Sequence, residues 1–243
     1  MKQLFSIILV FSTFVFISSC GGEDNEITPP TPTKGNIKGS VNLYDEGTEK
    51  IESSGMSVSV AGTSITALTD SEGKYELVDV PFGSRTLIYE KEDYGTYKYF
   101  IPDFNGNLNI EQSPSLGKKS KTKIITGSVT IEVTDVIVSF VTEGTNTSKR
   151  YMRYFLGTDQ TVTEDSYSEV TLTYESDSNN NPSRHLFTQK ELNEMGFSSG
   201  SQVYVKAYGE SFWGNDYEDT DLNKRIFPNL SEISAEPVMF MVP

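Results

Sequence analysis

The chain has 243 residues, 34 of them acidic and 20 basic, so its formal net charge is −14 at pH 7. This balance excludes a typical nucleic-acid-binding protein, because phosphates need a basic surface. A single cysteine excludes an intramolecular disulfide, and a single histidine excludes the common His₃ and Cys₄ zinc sites. The length suffices for one large domain or two modest ones, each with its own hydrophobic core.

The first twenty residues have the layout of a secretion signal. Lys2 is followed by an almost wholly apolar run from Leu4 to Ile17, then by two serines and Cys20. The run is shorter than the roughly 20 residues that a membrane-spanning helix needs. We therefore predict a signal peptide at residues 1–19, cleaved before the only cysteine.

The ending Ile17-Ser18-Ser19-Cys20 resembles the lipobox of bacterial lipoproteins. The resemblance implies that Cys20 carries acyl chains and becomes the mature N-terminus; the alternative is an ordinary signal peptide with an incidental cysteine. Each buried CH₂ contributes about 0.8 kcal/mol, so several chains make a lasting membrane anchor. The acidic stretch from Gly21 to Glu26 is similar to the export tag of Bacteroidetes surface lipoproteins. It implies an outer-membrane protein that faces the cell exterior, with a periplasm-facing position as the alternative.

Residues 20–34 combine the predicted lipid cysteine with an acidic, proline-rich and threonine-rich segment. The prolines between Thr28 and Thr33 favour extended polyproline geometry at about 3.1 Å per residue. We interpret this segment as a tether between the membrane and the first folded domain.

From Gly35 onward the sequence predicts short β-strands. Apolar residues alternate with polar ones in several runs that are separated by turn residues, which is typical of half-buried antiparallel strands. The alternating positions are Ile37, Gly39, Val41 and Leu43, then Met56, Val58 and Val60, then Tyr75 and Leu77. In one turn, Asp70 is expected to hydrogen-bond the following backbone and Gly73 to adopt a positive φ that closes a hairpin. The pattern predicts a β-sandwich over residues 35–118.

This region resembles the carboxypeptidase regulatory-like domain, a transthyretin-like sandwich. The resemblance rests on segments between residues 39 and 87, above all on Thr69-Asp70-Ser71-Glu72-Gly73-Lys74-Tyr75 and Val80-Pro81-Phe82-Gly83. It implies a domain of about seven strands. It does not imply peptidase activity, because such domains are mostly non-catalytic companions on secreted enzymes, receptors and surface lipoproteins.

A lysine-rich run, 117–123, separates the two predicted domains. Contact with anionic lipid or lipopolysaccharide is one interpretation; we favour a solvated linker or an edge strand guarded by lysine. Residues 119–243 again read as strands, including Tyr151–Leu156 and Val170–Tyr174. One helix is expected after Thr188, whose side chain caps it, with Gly196 as its stop. The fold class is therefore all-β: two β-sandwiches in tandem, the second immunoglobulin- or fibronectin-like with one short helix.

Two patterns that suggest catalysis are better explained by structure. Gly196-Phe197-Ser198-Ser199-Gly200 matches Gly-x-Ser-x-Gly, but a nucleophile elbow needs a strand before the serine and a helix after it, the reverse of the order predicted here. His185 has no second imidazole or thiolate to work with, so we interpret it as a surface or cap residue. We predict that the chain is not an enzyme.

An acidic loop near the C-terminus offers weak metal ligands. Asp216, Glu218, Asp219 and Asp221 crowd one segment, and oxygen-rich loops bind Ca²⁺. The glycine and glutamate spacing of an EF-hand is absent. We favour a solvated loop and predict no cofactor, with calcium as the alternative.

Aromatic residues beside this loop suggest a ligand site. Tyr208, Phe212, Trp213 and Tyr217 lie close together in sequence, and Trp213 is the only tryptophan. Aromatic faces stack on the C–H faces of sugars, while carboxylates and amides accept hydrogen bonds from sugar hydroxyls. The alternative is that these rings pack in the core at a strand end.

The sequence thus predicts a lipid-anchored, extracellular binding module without catalytic machinery. One hypothesis is capture of saccharide nutrients at the aromatic segment. The other is a structural or adhesion protein that assembles with neighbouring proteins at the cell surface. The membrane, reached through the lipid on Cys20, is a partner in both.

Overall fold

The computed structural model describes residues 33–143, 149–176 and 181–243. The predicted signal peptide, Cys20 and nearly all of the predicted tether lie outside the described residues. Within the described ranges, no helix is long and apolar enough to cross a membrane.

The first half of the described chain consists of short strands, as the alternating pattern predicts. They are β1 (Lys34–Ser40), β2 (Asn42–Tyr44), β3 (Lys50–Ile51), β4 (Ser57–Val60), β5 (Thr66–Leu68), β6 (Lys74–Pro81), β7 (Gly83–Glu90), β8 (Tyr97–Phe104), β9 (Leu108–Asn109) and β10 (Ser115–Gly117). One layer has the order β6-β1-β9 and is prolonged by β10-β2-β3. The other layer has the order β5-β4-β7-β8.

The apolar side chains of these strands meet between the two layers. Ile37, Val41 and Leu43 are buried on one layer, and Leu87 and Tyr89 on the other. Each fully buried aliphatic or aromatic side chain of this kind contributes about 1.5–3 kcal/mol. This packing makes the first half a β-sandwich.

The turn between β5 and β6 holds its shape through one aspartate. Asp70 Oδ1 accepts hydrogen bonds from the backbone N–H groups of Glu72 and Lys74, each at 2.9 Å. Gly73 has a φ of +81°, a conformation that L side chains rarely adopt. A Cβ at Gly73 would also collide with the backbone of Val41. The turn therefore requires glycine for two reasons, its positive φ and this close contact.

Two neighbouring stretches of the first sandwich run in the same direction. β1 continues through Val41 into β2, and β9 and β10 follow this path in parallel register. At about 3.3 Å per residue, the stretch from Lys34 to Tyr44 spans about 33 Å. The chain therefore enters the first sandwich at one end and leaves it, after Gly117, at the other end.

The second half is also built from strands, with one short helix. Its elements are β11 (Ile124–Glu132), β12 (Asp135–Thr142), β13 (Arg150–Gly157), β14 (Glu169–Val170), β15 (Tyr174–Ser176), β16 (Ser183–Phe187), α1 (Gln189–Glu194), β17 (Gln202–Glu210), β18 (Tyr217–Asp219), β19 (Lys224–Ile226) and β20 (Val238–Met241). The sheet β11-β12-β16 packs on the sheet β14-β13-β17-β20, in which β15 also pairs with β13. The all-β fold with tandem β-sandwiches and one short helix is thus confirmed.

Strand β13 is buried along its whole length because both of its faces are covered. Met152, Tyr154 and Leu156 point into the core between the sheets. On the opposite face, Phe155 packs against Phe227 in a smaller cluster. Because this second face is covered too, polar side chains that point to the outer side of the sheet, such as Arg153, are also buried.

Two local predictions for the second sandwich differ from the structure. The strand predicted from Val170 to Tyr174 is interrupted, because Thr171 uses its hydroxyl and N–H to bond the backbone of Tyr154. His185 is neither a surface nor a cap residue: it lies in β16, and its ring stacks on Tyr154 at 5.0 Å. The helix begins as predicted, with Thr188 Oγ1 accepting the N–H of Glu191 at 3.1 Å.

The hairpin between β11 and β12 carries backbone strain. Glu132 pairs with Asp135, so Val133 and Thr134 form a two-residue turn, and Val133 has a φ of +56°. A β-branched residue is unfavourable there, and the Val133 side chain is 94% exposed, so no packing compensates for the strain.

Replacing Val133 with asparagine should therefore raise the free energy of unfolding by about 1 kcal/mol. Urea unfolding at pH 7 measures the change. Val133→Thr, which keeps the β-branch, is the matched control and should leave the stability within about 0.5 kcal/mol of the wild type. An Asn variant no more stable than the Thr variant would contradict the strain assigned to this turn.

Candidate functional site

The four aromatic residues singled out in the sequence do not form one stacking platform. The Tyr208 ring packs on Phe155 at 5.5 Å, on the outer face of the sheet. The Trp213 ring lies 4.9 Å from Tyr44. The contacts of the other two are different again: Phe212 packs on Tyr151 at 5.6 Å and on Trp213 at 5.2 Å, and Tyr217 packs on Tyr97 at 5.7 Å.

The segment 211–219, which we call the junction loop, joins the two sandwiches. Two of its rings, Trp213 and Tyr217, pack on rings of the first sandwich. The hydroxyl of Ser211 donates to the carbonyl oxygen of Lys118 in the linker. At its far end, the buried carboxylate of Asp219 lies 2.7 Å from Lys98 Nζ on β8, and this hydrogen bond holds the pKa of Asp219 below its usual range.

Two asparagine amides bind the junction loop and the linker together. Asn215 Oδ1 accepts the N–H of Gly117 at 2.9 Å, and its Nδ2 donates to the carbonyl of Ser115 at 2.6 Å. Asn229 Nδ2 donates to Asn215 Oδ1 at 2.8 Å and to the Trp213 carbonyl at 2.7 Å. These bonds join three segments that are distant in sequence.

Asn229 is 1% exposed, and its Oδ1 also accepts the N–H of Gly95 at 3.2 Å. Asn229→Ala should lower the free energy of unfolding by about 2 kcal/mol, because buried partner groups lose their bonds. Thermal or urea unfolding measures the loss. The exposed Asn193→Ala on α1 is the control, with a change of about 0.5 kcal/mol or less. An equal effect of the two substitutions would contradict the role given to Asn229.

A buried charge cluster supports the other side of the junction loop. Arg153 Nε donates to Glu210 Oε2 at 2.8 Å, and its Nη2 lies 3.0 Å from Asp216 Oδ1. Asp216 also accepts from Arg225 Nε at 2.7 Å. Both guanidinium groups lie over the ring of Phe227, at 5.0 and 5.5 Å from its centroid. The cluster fixes the start of β18 relative to β13 and β17.

The pKa values of the two carboxyl groups of this cluster, Glu210 and Asp216, are shifted in opposite directions. Burial raises the pKa of Glu210 despite the opposing charge of Arg153. Burial also acts to raise the pKa of Asp216, but the hydrogen bond from Arg225 and the charge of Arg153 outweigh it and lower the pKa overall. Asp216 is therefore held as an anion and is already committed to two arginines.

The weak metal candidates are used by other partners or point to solvent. Asp216 is bound by arginines, and Asp219 by Lys98 and by the N–H groups of Asp221 and Leu222. Glu218 and Asp221 are exposed. Within the ranges described above, no group of three or more His, Cys, Asp or Glu side chains is arranged to hold a metal ion.

A groove of about 630 Å³ lies beside the junction loop, where the two sandwiches meet. One wall is the turn 45–49 of the first sandwich. The opposite wall includes Glu143 and Tyr151 of the second, and the linker residues Lys118 and Lys121 lie between the walls. The volume falls within the range of about 300–1,000 Å³ that is usual for small-molecule sites.

Phe212 does not line this groove itself, but it is the predicted aromatic residue that contacts two of the lining residues, Tyr151 and Glu46. The residue is 41% exposed, and its ring packs on Tyr151. Its N–H donates to the carbonyl oxygen of Glu46 at 2.8 Å, and Glu46 Oε2 accepts the N–H of Lys121 at 2.9 Å. The groove thus combines an aromatic edge with carboxylate acceptors and ammonium donors on a fixed backbone.

The Gly-x-Ser-x-Gly segment and His185, the two patterns that suggested catalysis, both make contacts that explain them structurally. Ser198 Oγ lies 3.3 Å from Ser201 Oγ in the turn after α1, and Gly196 and Gly200 have φ values of +87° and +82°. These glycines close a helix and a turn. His185 is enclosed by the rings of Tyr154 and Tyr174, and burial lowers its pKa to about 4.

The sequence interpretation missed those residues of the site that are far from the junction loop in the sequence. Glu46 and the rest of the turn 45–49 lie more than 100 residues from Tyr151 in the chain, and no local pattern connects them. Arg153 stands in a strand without clean alternation, and this irregularity was the available signal for a strand buried on both faces. Asn229 lies in a loop that carries no recognised motif.

No family model and no curated protein matches this chain. The resemblance of the first half to the carboxypeptidase regulatory-like domain therefore stays a prediction, as does the lipoprotein signal.

Several solved structures resemble the chain weakly. A candidate carbohydrate-binding protein from Bacteroides uniformis is 14% identical, with 86% of this chain and 100% of that chain covered, at a TM-score of 0.32. A DUF3823 family protein from Bacteroides ovatus is also 14% identical, with the same coverage and a TM-score of 0.28. A cohesin–X-dockerin complex from Acetivibrio cellulolyticus is 20% identical over 35% of this chain and 58% of that chain, at a TM-score of 0.31. At these identities and TM-scores the neighbours identify neither a family nor a ligand.

Proposed function

We propose that this chain is a non-catalytic binding protein that holds a saccharide in the groove between its two sandwiches. The observation that carries the proposal is the groove of about 630 Å³, lined by Tyr151, carboxylates and lysines, with the exposed Phe212 packed on Tyr151. Sugars are recognised by an aromatic surface for their C–H faces and by charged hydrogen-bonding groups for their hydroxyls. The rigid junction supports such a site, because preorganisation reduces the entropy lost on binding.

The location is part of the same proposal. The signal layout and the Ile17-Ser18-Ser19-Cys20 ending support an outer-membrane lipoprotein, and the acidic stretch after Cys20 supports exposure at the cell surface. In this proposal the first sandwich follows the anchored segment in the chain. The protein would present captured saccharide to neighbouring surface proteins.

Calorimetric titration of the mature chain carrying Cys20→Ser with a panel of oligosaccharides tests the function. Phe212→Ala should weaken binding about tenfold, since loss of an aromatic contact costs on the order of 1 kcal/mol. Phe100→Ala is the matched control, because Phe100 is similarly exposed, at 46%, but lies on β8 and lines a different cavity. Phe100→Ala should bind like the wild type. Absence of binding across the panel, or equal effects of the two variants, would contradict the proposal.

A surface-assembly protein is the second candidate, favoured by apolar side chains exposed on the second sandwich. Ile125 and Ile131 on β11, and Met239 and Met241 on β20, are each about half exposed. Exposed apolar side chains of this kind can support protein contacts. If the titrations are flat and the chain instead associates with a neighbouring surface protein through these residues, this function replaces the first.

A further inference from the structure

The linker between the sandwiches also lines a second cavity, next to the groove. This lysine pit, of about 370 Å³, lies between residues 119–123 and residues 230–233. Leu230 and Ile233 supply apolar surface, and the side chains of Lys119, Lys121 and Lys123 line the cavity. Lys121 lines both the pit and the groove of the proposed function. The two cavities are therefore neighbours that share a residue.

The lysines of the linker differ in how their charge is used. Lys118 pairs with Asp93, and Lys123 with Glu143 at 2.6 Å. Lys119 and Lys121 are both exposed, and neither forms an ion pair within the described parts of the chain. Both residues line the lysine pit, so their ammonium groups are close enough to meet one anionic group there.

Lys119 and Lys121 thus leave two neighbouring positive charges uncompensated in a chain of net charge −14. The local carboxylates of the pit are Asp93, which pairs with Lys118, and Glu232. A pair of lysines kept free beside a binding groove provides charge-assisted hydrogen bonds for an anionic group. We infer that the saccharide bound in the groove is acidic and extends past Lys121 into the lysine pit, where Lys119 and Lys121 hold a carboxylate.

The position of the pit disfavours a membrane as the source of the anion. The chain enters the first sandwich at Lys34 and reaches the linker only after the full length of the parallel stretches, about 33 Å away. The lysines therefore lie at the end of the first sandwich that is far from Lys34, where the chain enters it. A soluble polymer can reach them there more readily than lipid headgroups can.

The inference rests on the proposed function, and a matched ligand pair separates the two. Oligogalacturonate carries a carboxylate on each unit, and its methyl ester has the same skeleton without charge. The mature chain carrying Cys20→Ser should bind the acid about tenfold more tightly than the ester, and added salt should reduce this difference. Lys119→Gln combined with Lys121→Gln should remove the difference, whereas Lys190→Gln on α1 should preserve it.

The outcomes are distinguishable. Equal binding of acid and ester, with loss in Phe212→Ala, would overturn the acidic inference and leave the proposed function intact. Binding of the acid that depends on both lysines but not on Phe212 would overturn the groove as the saccharide site. Binding to vesicles with anionic phospholipid, lost in the lysine double variant and unmatched by any saccharide, would overturn both. Circular dichroism of each variant shows that it is folded.

Discussion

Replacing Arg153 with methionine should lower the free energy of unfolding by about 3–5 kcal/mol. The Arg153 side chain is almost fully buried, and it pairs with Glu210, which is 0% exposed. Removing the cation leaves a buried carboxylate that has lost its main counter-charge, and such uncompensated charges are among the most costly single changes in a protein. Urea unfolding at pH 7 measures the loss.

A second substitution distinguishes lost charge from lost packing. Adding Glu210→Gln to Arg153→Met removes the stranded charge while a hydrogen-bonding group stays beside Thr173. The double variant should therefore be more stable than Arg153→Met alone. Lys190→Met, in the exposed pair with Glu194, is the control and should change stability by about 0.5 kcal/mol or less. A loss below about 1 kcal/mol in Arg153→Met would show that the cluster is dispensable.

The stability of the protein should fall by about 3 kcal/mol between pH 6.5 and pH 4 because of His185. Burial among aromatic rings lowers the pKa of His185 to about 4, whereas the unfolded chain titrates near 6.5. Above pH 6.5 the His185 side chain is neutral in both the folded and the unfolded chain. Below pH 6.5 His185 binds a proton in the unfolded state but stays neutral in the folded state. The free energy of unfolding therefore decreases until about pH 4.

His185→Phe should flatten this part of the pH profile. Within the described residues His185 Nε2 has no hydrogen-bond partner, so a phenyl ring can replace the imidazole among Tyr154, Tyr174 and Phe187. Carboxylates with lowered pKa values, such as Asp216 and Asp219, also lose stabilisation at acidic pH. The difference between variant and wild type, measured by urea unfolding at half-unit pH intervals, isolates the histidine. Parallel profiles would contradict the assignment.

The sheet architecture was predictable because each strand carries its own signal. Ile37, Val41 and Leu43 alternate with polar neighbours, and the structure buries all three. Burial of one face of a strand needs no knowledge of distant partners, since the period of two already defines that face. The same holds for the helix, where Thr188 sits directly before its first turn.

The surroundings of the junction loop were not predictable in the same way. The sequence brought attention to Phe212, Trp213 and Tyr217, but rings beside carboxylates are equally suited to a ligand site and to a contact between domains. The ring partners of Trp213 and Tyr217, which are Tyr44 and Tyr97, lie over 100 residues away. His185 failed for a related reason: its surroundings come from β13, which no local pattern places against β16.

The parallel path of β1–β2 and β9–β10 has a mechanical consequence. Tension applied between Lys34 and the second sandwich pulls the β1–β2 stretch and the β9–β10 stretch in opposite directions. Hydrogen bonds across a parallel strand pair lie across the strand axis, so they are loaded together in shear instead of opening one by one. Forced unfolding is governed by the height of the unfolding barrier, and a barrier that requires several bonds to break at once is high. The first sandwich is therefore built to resist force applied between Lys34 and the second sandwich.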